Sequence, residues 1–262
     1  MKHLLITIIC LLVPILTYAE SAVIEGINYY LDNSEMTAWV KSGDTPYSGE
    51  IIIPNYVNYN GYTYSVIEIS NYAFAECRTL SSVKIGDNVT SIGDYSFFKC
   101  SGLTSIILPN SVKEIGGEAF SGCTNLQTII IGTGLTYIWL HAFRNCSNLK
   151  YFYCLAKNVP DVRKNNTYNA FSGFPIENAT LYVPEESVGL YKTDSYWDEF
   201  GTIIGLKENE VEEIVMGTNH VLDNKSKESL RFMLDGKSID KQLKGINIVK
   251  MKDGKTRKVW VK

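Results

Sequence analysis

Histidine is almost missing from this chain, with three in 262 residues, and one of them, His3, lies at the extreme N-terminus. His141 and His220 stand far apart, so no His-x-x-x-His metal pair can form, and His141 occupies a position that varies between internal repeats and reads as surface. A nucleophile elbow and a Gly-rich phosphate loop are also lacking. The cysteines show none of the short Cys-x2-Cys spacing that zinc sites use. The acidic pairs Glu185-Glu186 and Glu212-Glu213 have no partner that would make them glycosidase carboxylates, and they read as solvated surface. These absences predict a chain with no catalytic residues, no metal site and no cofactor. No apolar run is long enough for a stable transmembrane span: the longest covers Leu4 to Leu16, against the roughly 20 residues a bilayer requires.

That short run has a purpose of its own. Met1-Lys2-His3 precedes it and Thr17-Tyr18-Ala19 follows, the layout of an export signal over 1–19 cleaved before Glu20. The remaining charge is uneven, with 12 basic and 24 acidic side chains over 20–224 and 12 basic and 4 acidic over 225–262. A basic tail can serve nucleic acid or an anionic membrane, but export argues against nucleic acid.

Self-similarity decides the fold class. Four copies of 23 residues align without a gap over 66–154. The first has Val66, Ile69, Ala73, Phe74, Cys77, Leu80, Val83 and Ile85; the second has Val89, Ile92, Ser96, Phe97, Cys100, Leu103, Ile106 and Leu108. The third has Val112, Ile115, Ala119, Phe120, Cys123, Leu126, Ile129 and Ile131; the fourth has Leu135, Ile138, Ala142, Phe143, Cys146, Leu149, Phe152 and Cys154. Alternation such as Val83-Lys84-Ile85 predicts a short strand in each copy, and Ala-Phe-x-x-Cys predicts a helical turn. A single coil cannot offset the entropy of ordering its backbone, so the coils must stack.

Units such as Leu108-Pro109-Asn110-Ser111-Val112-Lys113-Glu114-Ile115-Gly116 followed by Ala119-Phe120-Ser121-Gly122-Cys123 resemble the BspA-like leucine-rich repeats. The resemblance implies a solenoid of surface-exposed coils and a role in adhesion or recognition, with an extracellular or host matrix protein or another surface protein as partner. The predicted organisation is an N-terminal cap over 20–65, with the Asn60-Gly61 hairpin and a first strand at Glu50–Ile53, then repeats and a C-terminal cap over 66–206. Val188, Tyr191, Trp197 and Phe200 are expected to close the last coil. A linker follows over 207–229 and a small β tail over 230–262. Asp253-Gly254 between Lys244–Val249 and Lys258–Lys262 reads as a hairpin that resembles a shortened Por-type (type nine) sorting domain, which implies contact with secretion machinery.

Two expectations concern side chains. Cys77, Cys100, Cys123 and Cys146 share one repeat position and run parallel, so they read as buried, unbridged core residues. On the opposite, outward positions of the strands lie Glu50, Ile52, Ser82, Lys84, Ser105, Ile107, Thr128, Ile130, Tyr151, Tyr153, Thr180 and Tyr182. The apolar end of this ladder, Ile107, Ile130, Tyr151, Tyr153 and Tyr182, is the candidate binding surface. The predicted function is a secreted or outer-surface protein-binding module. Alternatives are a periplasmic or surface scaffold, a glycan-binding accessory protein and a hydrolase.

Overall fold

The structure is a computed structural model that describes the backbone of residues 20–163, 169–220, 245–250 and 256–261, and side chains as far as 214. The expected signal at 1–19 and most of the expected linker and tail lie outside the described residues.

The chain starts with an antiparallel meander, β1 (Glu20–Ile24), β2 (Ile27–Asp32) and β3 (Thr37–Lys41). Next come β4 (Gly49–Ile53), β5 (Tyr56–Tyr59) and β6 (Tyr62–Ile69), with Asn60 and Gly61 both at positive φ in the turn that joins β5 to β6. The coils then alternate longer and two-residue strands: β7 (Leu80–Ile85), β8 (Ser91–Ile92), β9 (Ser105–Leu108), β10 (Glu114–Ile115), β11 (Thr128–Ile131), β12 (Tyr137–Ile138), β13 (Tyr151–Cys154) and β14 (Asp161–Val162). β15 (Thr180–Pro184), the helix α1 (Val188–Thr193), β16 (Thr202–Leu206), the helix α2 (Glu208–His220), β17 (Gly245–Lys250) and β18 (Thr256–Val261) complete the order.

Two stacks run along the solenoid. The longer strands pair in parallel as β9-β11-β13-β15-β16, with β4 and β7 forming a separate parallel pair. The two-residue strands β8, β10, β12 and β14 form a second stack on the end of β6, which continues the cap meander through β3. The sequence predicts one sheet; the second arises because Ser91-Ile92, Glu114-Ile115 and Tyr137-Ile138 meet their counterparts in parallel register one coil away.

Between the stacks the predicted helical turn is replaced by isolated turns. Tyr72 and Glu76 take φ of 61° and 58°, and Tyr95/Lys99 and His141/Asn145 repeat the pattern, so no helix can propagate through the segment. Its amides point to the next coil instead. Phe74 N–H donates to the Ser96 carbonyl at 2.7 Å, and Phe97, Phe120 and Phe143 donate to Ala119, Ala142 and Ala170 in the same way.

The core is a one-dimensional stack. Phe74, Phe97, Phe120, Phe143 and Phe171 lie nearly parallel with centroids 5.1 to 6.0 Å apart. Tyr47 closes the first end at 4.9 Å from Phe74. At the other end Trp197 and Phe200 meet Phe152 and Phe171 edge-on, and the Trp197 indole N–H donates to the Pro160 carbonyl at 3.1 Å. Tyr191 is buried there and donates to the Ala156 carbonyl at 2.9 Å.

All five described cysteines are free and buried. The thiols of Cys100, Cys123 and Cys146 donate to the carbonyls of Phe74, Phe97 and Phe120 at 3.0 to 3.1 Å, so each ties its coil to the one before. A second tie uses amide and carboxylate oxygens. Asn71 accepts from the Asp94 amide at 2.7 Å, Asp94 accepts from the Gly117 amide at 2.6 Å, and Asn110 accepts from the Thr133 amide at 2.9 Å. This closeness requires glycine opposite: a Cβ on Gly116 would lie 2.6 Å from the Asp94 nitrogen.

Candidate protein-binding face

The long sheet presents two outward rows in strict register. One is Ser105, Thr128, Tyr151, Thr180 and Thr202, and the other is Ile107, Ile130, Tyr153, Tyr182 and Ile204. On the separate pair, Glu50 faces Ser82 and Ile52 faces Lys84. The first row is mainly hydroxyl-bearing and the second apolar, with Tyr153 and Tyr182 stacked at 4.3 Å. Period-two alternation explains why both rows are legible from the strands.

The expected surface is not fully open. Ile130 and Tyr153 are only 1% and 4% exposed, while Ile107, Tyr151 and Tyr182 are partly buried. The cover is α2, whose Val211 and Ile214 pack with Ile130, Tyr153, Leu155 and Leu206 in a cluster separate from the main core. The expectation of a bare linker from 207 and an exposed five-residue patch is corrected accordingly: the segment begins with a helix, and its aliphatic edge removes the middle of the row from water. The free ends of the row are Ile204, 40% exposed, and, across the break in the sheet, Ile52, 62% exposed.

Over its described side chains α2 is amphipathic. Val211 and Ile214 are three apart and face one side, Glu208, Glu212 and Glu213 are exposed, and Glu210 stands three residues after Lys207. The Glu210 carboxylate accepts from the Lys207 amide at 2.8 Å, satisfying a donor at the helix start.

Electrostatics on this face follow from burial. Burial, with Tyr182 and Tyr151 close by, pushes the Tyr153 phenol above its ordinary value; burial also raises that of Tyr182. Burial pulls the Lys84 ammonium below its ordinary value, with Asp87 opposing. Its Nζ is shut off from water and makes no hydrogen bond.

The second stack carries residues that sequence reasoning missed. Tyr137 and Trp139, 39% and 43% exposed, stand where other coils have Ser91 or Glu114 and Gly93 or Gly116. The Arg163 guanidinium lies over both rings at 4.9 and 5.5 Å, and the Trp139 N–H faces the Glu114 carboxylate at 3.4 Å. Nearby, Tyr72 stacks on Tyr95 at 4.9 Å and the Tyr95 hydroxyl donates to Glu118 at 2.9 Å. His141, expected at the surface from its variable repeat position, instead belongs to this row and is largely buried, with Nδ1 4.0 Å from Glu118. Aromatic residues at positions held in other coils by polar residues or glycine are the signal that marks this face. Among the described residues, no three His, Cys, Asp or Glu side chains cluster as metal ligands would, and no helix is long and apolar enough to cross a membrane.

Comparison with known proteins agrees with this architecture. Residues 62–189 match the BspA type leucine-rich repeat region in six copies. A leucine-rich cell surface protein of Faecalibacterium prausnitzii is 25% identical with a TM-score of 0.51, over 64% of this chain and 44% of that one. A leucine-rich repeat protein of Bacteroides ovatus is 26% identical with a TM-score of 0.47, over 71% of this chain and 41% of that one. The leucine-rich repeat protein of T. pallidum is 21% identical with a TM-score of 0.55, over 81% of this chain and 95% of that one. The chain thus spans under half the length of the first two. No curated protein matches it.

Proposed function

We propose that this chain, a leucine-rich-repeat solenoid with a BspA-type repeat region over 62–189, is an exported cell-surface module that binds other proteins without catalysis. The observation that carries the reading is the register-aligned apolar row Ile107, Ile130, Tyr153, Tyr182 and Ile204, with Tyr151 beside it. Stacked strands hold these side chains rigid, so a partner that reaches the row at its accessible members Tyr182 and Ile204 meets ordered aromatic and aliphatic surface at little entropic cost. Resemblance to a cell surface protein supports the location, as does the leader-like start of the sequence. The partner class is an extracellular or host matrix protein, or another surface protein. The β17–β18 hairpin lies within a basic tail suited to recognition by secretion machinery.

The test is solid-phase binding of the mature chain to a panel of immobilised extracellular matrix proteins. Saturable binding that falls at least tenfold with Tyr182→Asp and Ile204→Asp supports the reading. Binding to none of the panel, or binding indifferent to both substitutions, overturns it. A second reading, glycan binding, is favoured by exposed Tyr137 and Trp139 beside Glu114 and Arg163, since aromatic rings next to charged hydrogen-bonding groups suit sugars. Glycan-array binding lost on Trp139→Ala would move the assignment to that face.

A further inference from the structure

The way α2 lies on the long sheet indicates what kind of partner fits there. The helix has 13 residues, which at roughly 1.5 Å per residue gives about 20 Å, or four strand spacings of about 4.8 Å. It leaves the end of β16 and its Val211 and Ile214 share a cluster with Tyr182, Tyr153, Ile130 and Ile107, so it lies against the apolar row. Only two aliphatic side chains hold the described part of the helix, and its flanks are carboxylates. The row accepts an amphipathic helix.

One repeat before Ile107 the same row holds Lys84. Its ammonium is shut off from water without a hydrogen-bond partner, a costly state that a carboxylate would relieve. The carboxylates of α2, Glu208, Glu210, Glu212 and Glu213, all precede Ile214 and leave the Lys84 ammonium unpaired, and residues 215–222 contain no Asp or Glu.

We infer that the long-sheet face is a groove for an acidic amphipathic helix of a partner protein, which displaces α2, seats two aliphatic residues three apart on Ile130, Tyr153 and Tyr182, and brings a carboxylate to Lys84. This rests on the protein-binding role proposed for the same face. From the site of Ile214 to Lys84 is about two to three strand spacings, roughly 10–14 Å. Less the reach of a lysine side chain, a carboxylate about four to seven residues beyond the second aliphatic position meets it. α2 is then an internal competitor that holds the groove closed to weaker helices.

The experiment uses the full mature chain and two fluorescein-labelled peptides with its own 205–222 sequence, one unaltered and one carrying Thr218→Glu. Fluorescence anisotropy is measured with the wild-type chain and with Val211→Asp/Ile214→Asp, in which the tethered helix cannot compete; Val211→Ser/Ile214→Ser serves as a milder second variant. Peptide affinity is expected to be at least tenfold higher for the two variants than for wild type. The Glu peptide is expected to bind about five- to tenfold more tightly than the unaltered one, and Lys84→Met in the variant background should erase that gain alone.

Equal affinity for wild type and variants overturns the inference, as does a Glu peptide gain that survives Lys84→Met. A wild-type dimer in sedimentation that Val211→Asp/Ile214→Asp dissociates also overturns it, because the occupant is then a second copy. If neither peptide binds while matrix binding remains sensitive to Tyr182→Asp, this inference falls and the wider reading stands. If peptides bind as expected and no matrix protein does, the helix groove stands and the matrix reading falls.

Discussion

Ser96 is a flaw in an otherwise uniform core, and correcting it should stabilise the protein. The equivalent position in the other coils is Ala73, Ala119 and Ala142. Ser96 is fully buried and its hydroxyl has no hydrogen-bond partner. A buried hydroxyl left unpaired costs about 1–3 kcal/mol. Ser96→Ala removes that cost and leaves a void of one oxygen, on the order of 10–15 Å³, which at about 24 cal/mol per Å³ returns roughly 0.3 kcal/mol. The backbone carbonyl of Ser96, which accepts from Phe74, is unaffected. The net expectation is a gain of about 1–2 kcal/mol, equivalent to roughly 2–8 °C in Tm for a domain of this size. Urea unfolding followed by circular dichroism should show a higher midpoint at unchanged slope. The reciprocal Ala119→Ser should lower the midpoint by a comparable amount. A lower midpoint for Ser96→Ala, or no effect of either change, would show that the core is not the close-packed stack described.

Other outcomes follow from the same packing. Phe120→Ala in the middle of the aromatic stack should cost about 3–5 kcal/mol, measured as a urea midpoint shift, because both neighbouring rings lose their partner. Gly116→Ala should destabilise by more than about 2 kcal/mol, since the new methyl meets backbone atoms of Gly93 and Asp94, whereas Gly189→Ala, with open space around it, should be neutral within about 0.5 kcal/mol. Burial pushes the Cys146 thiol up to about 12 and the Cys154 thiol up to about 11. The folded chain therefore keeps protons that the unfolded chain releases above about pH 9, so stability is full below that value and falls as pH rises toward 11–12. Urea midpoints at pH 8, 9 and 10.5 should show the decline, with a shallower slope in Cys146→Ala.

The repeat was legible because a solenoid core is one-dimensional: each Phe, Cys and Leu has the same neighbours in every coil, so burial is written at a fixed period. Trp197, Tyr191 and Phe200 were readable as an end cap since an open last coil must be covered. The second strand stack was harder, because two-residue strands such as Glu114-Ile115 leave no alternation to detect. The thiol bonds were invisible for a different reason. Cys100 reaches the carbonyl of Phe74, an offset set by how coils lie over one another and by nothing in local sequence. The candidate row could be picked out from strand alternation, but its cover could not. Val211 and Ile214 are two aliphatic residues in an acidic stretch, a pattern too sparse to announce a docked helix until Ile130 and Tyr153 are seen beneath it.

The most direct test of the proposed role is hydroxyl-radical footprinting of the chain, free and bound to a matrix protein that the panel yields. Binding on the long sheet should protect Tyr182 and Ile204 several-fold and leave Tyr137 and Trp139 as reactive as in the free chain. Protection of Tyr137 and Trp139 with Tyr182 and Ile204 unchanged would contradict the account and place recognition on the second stack.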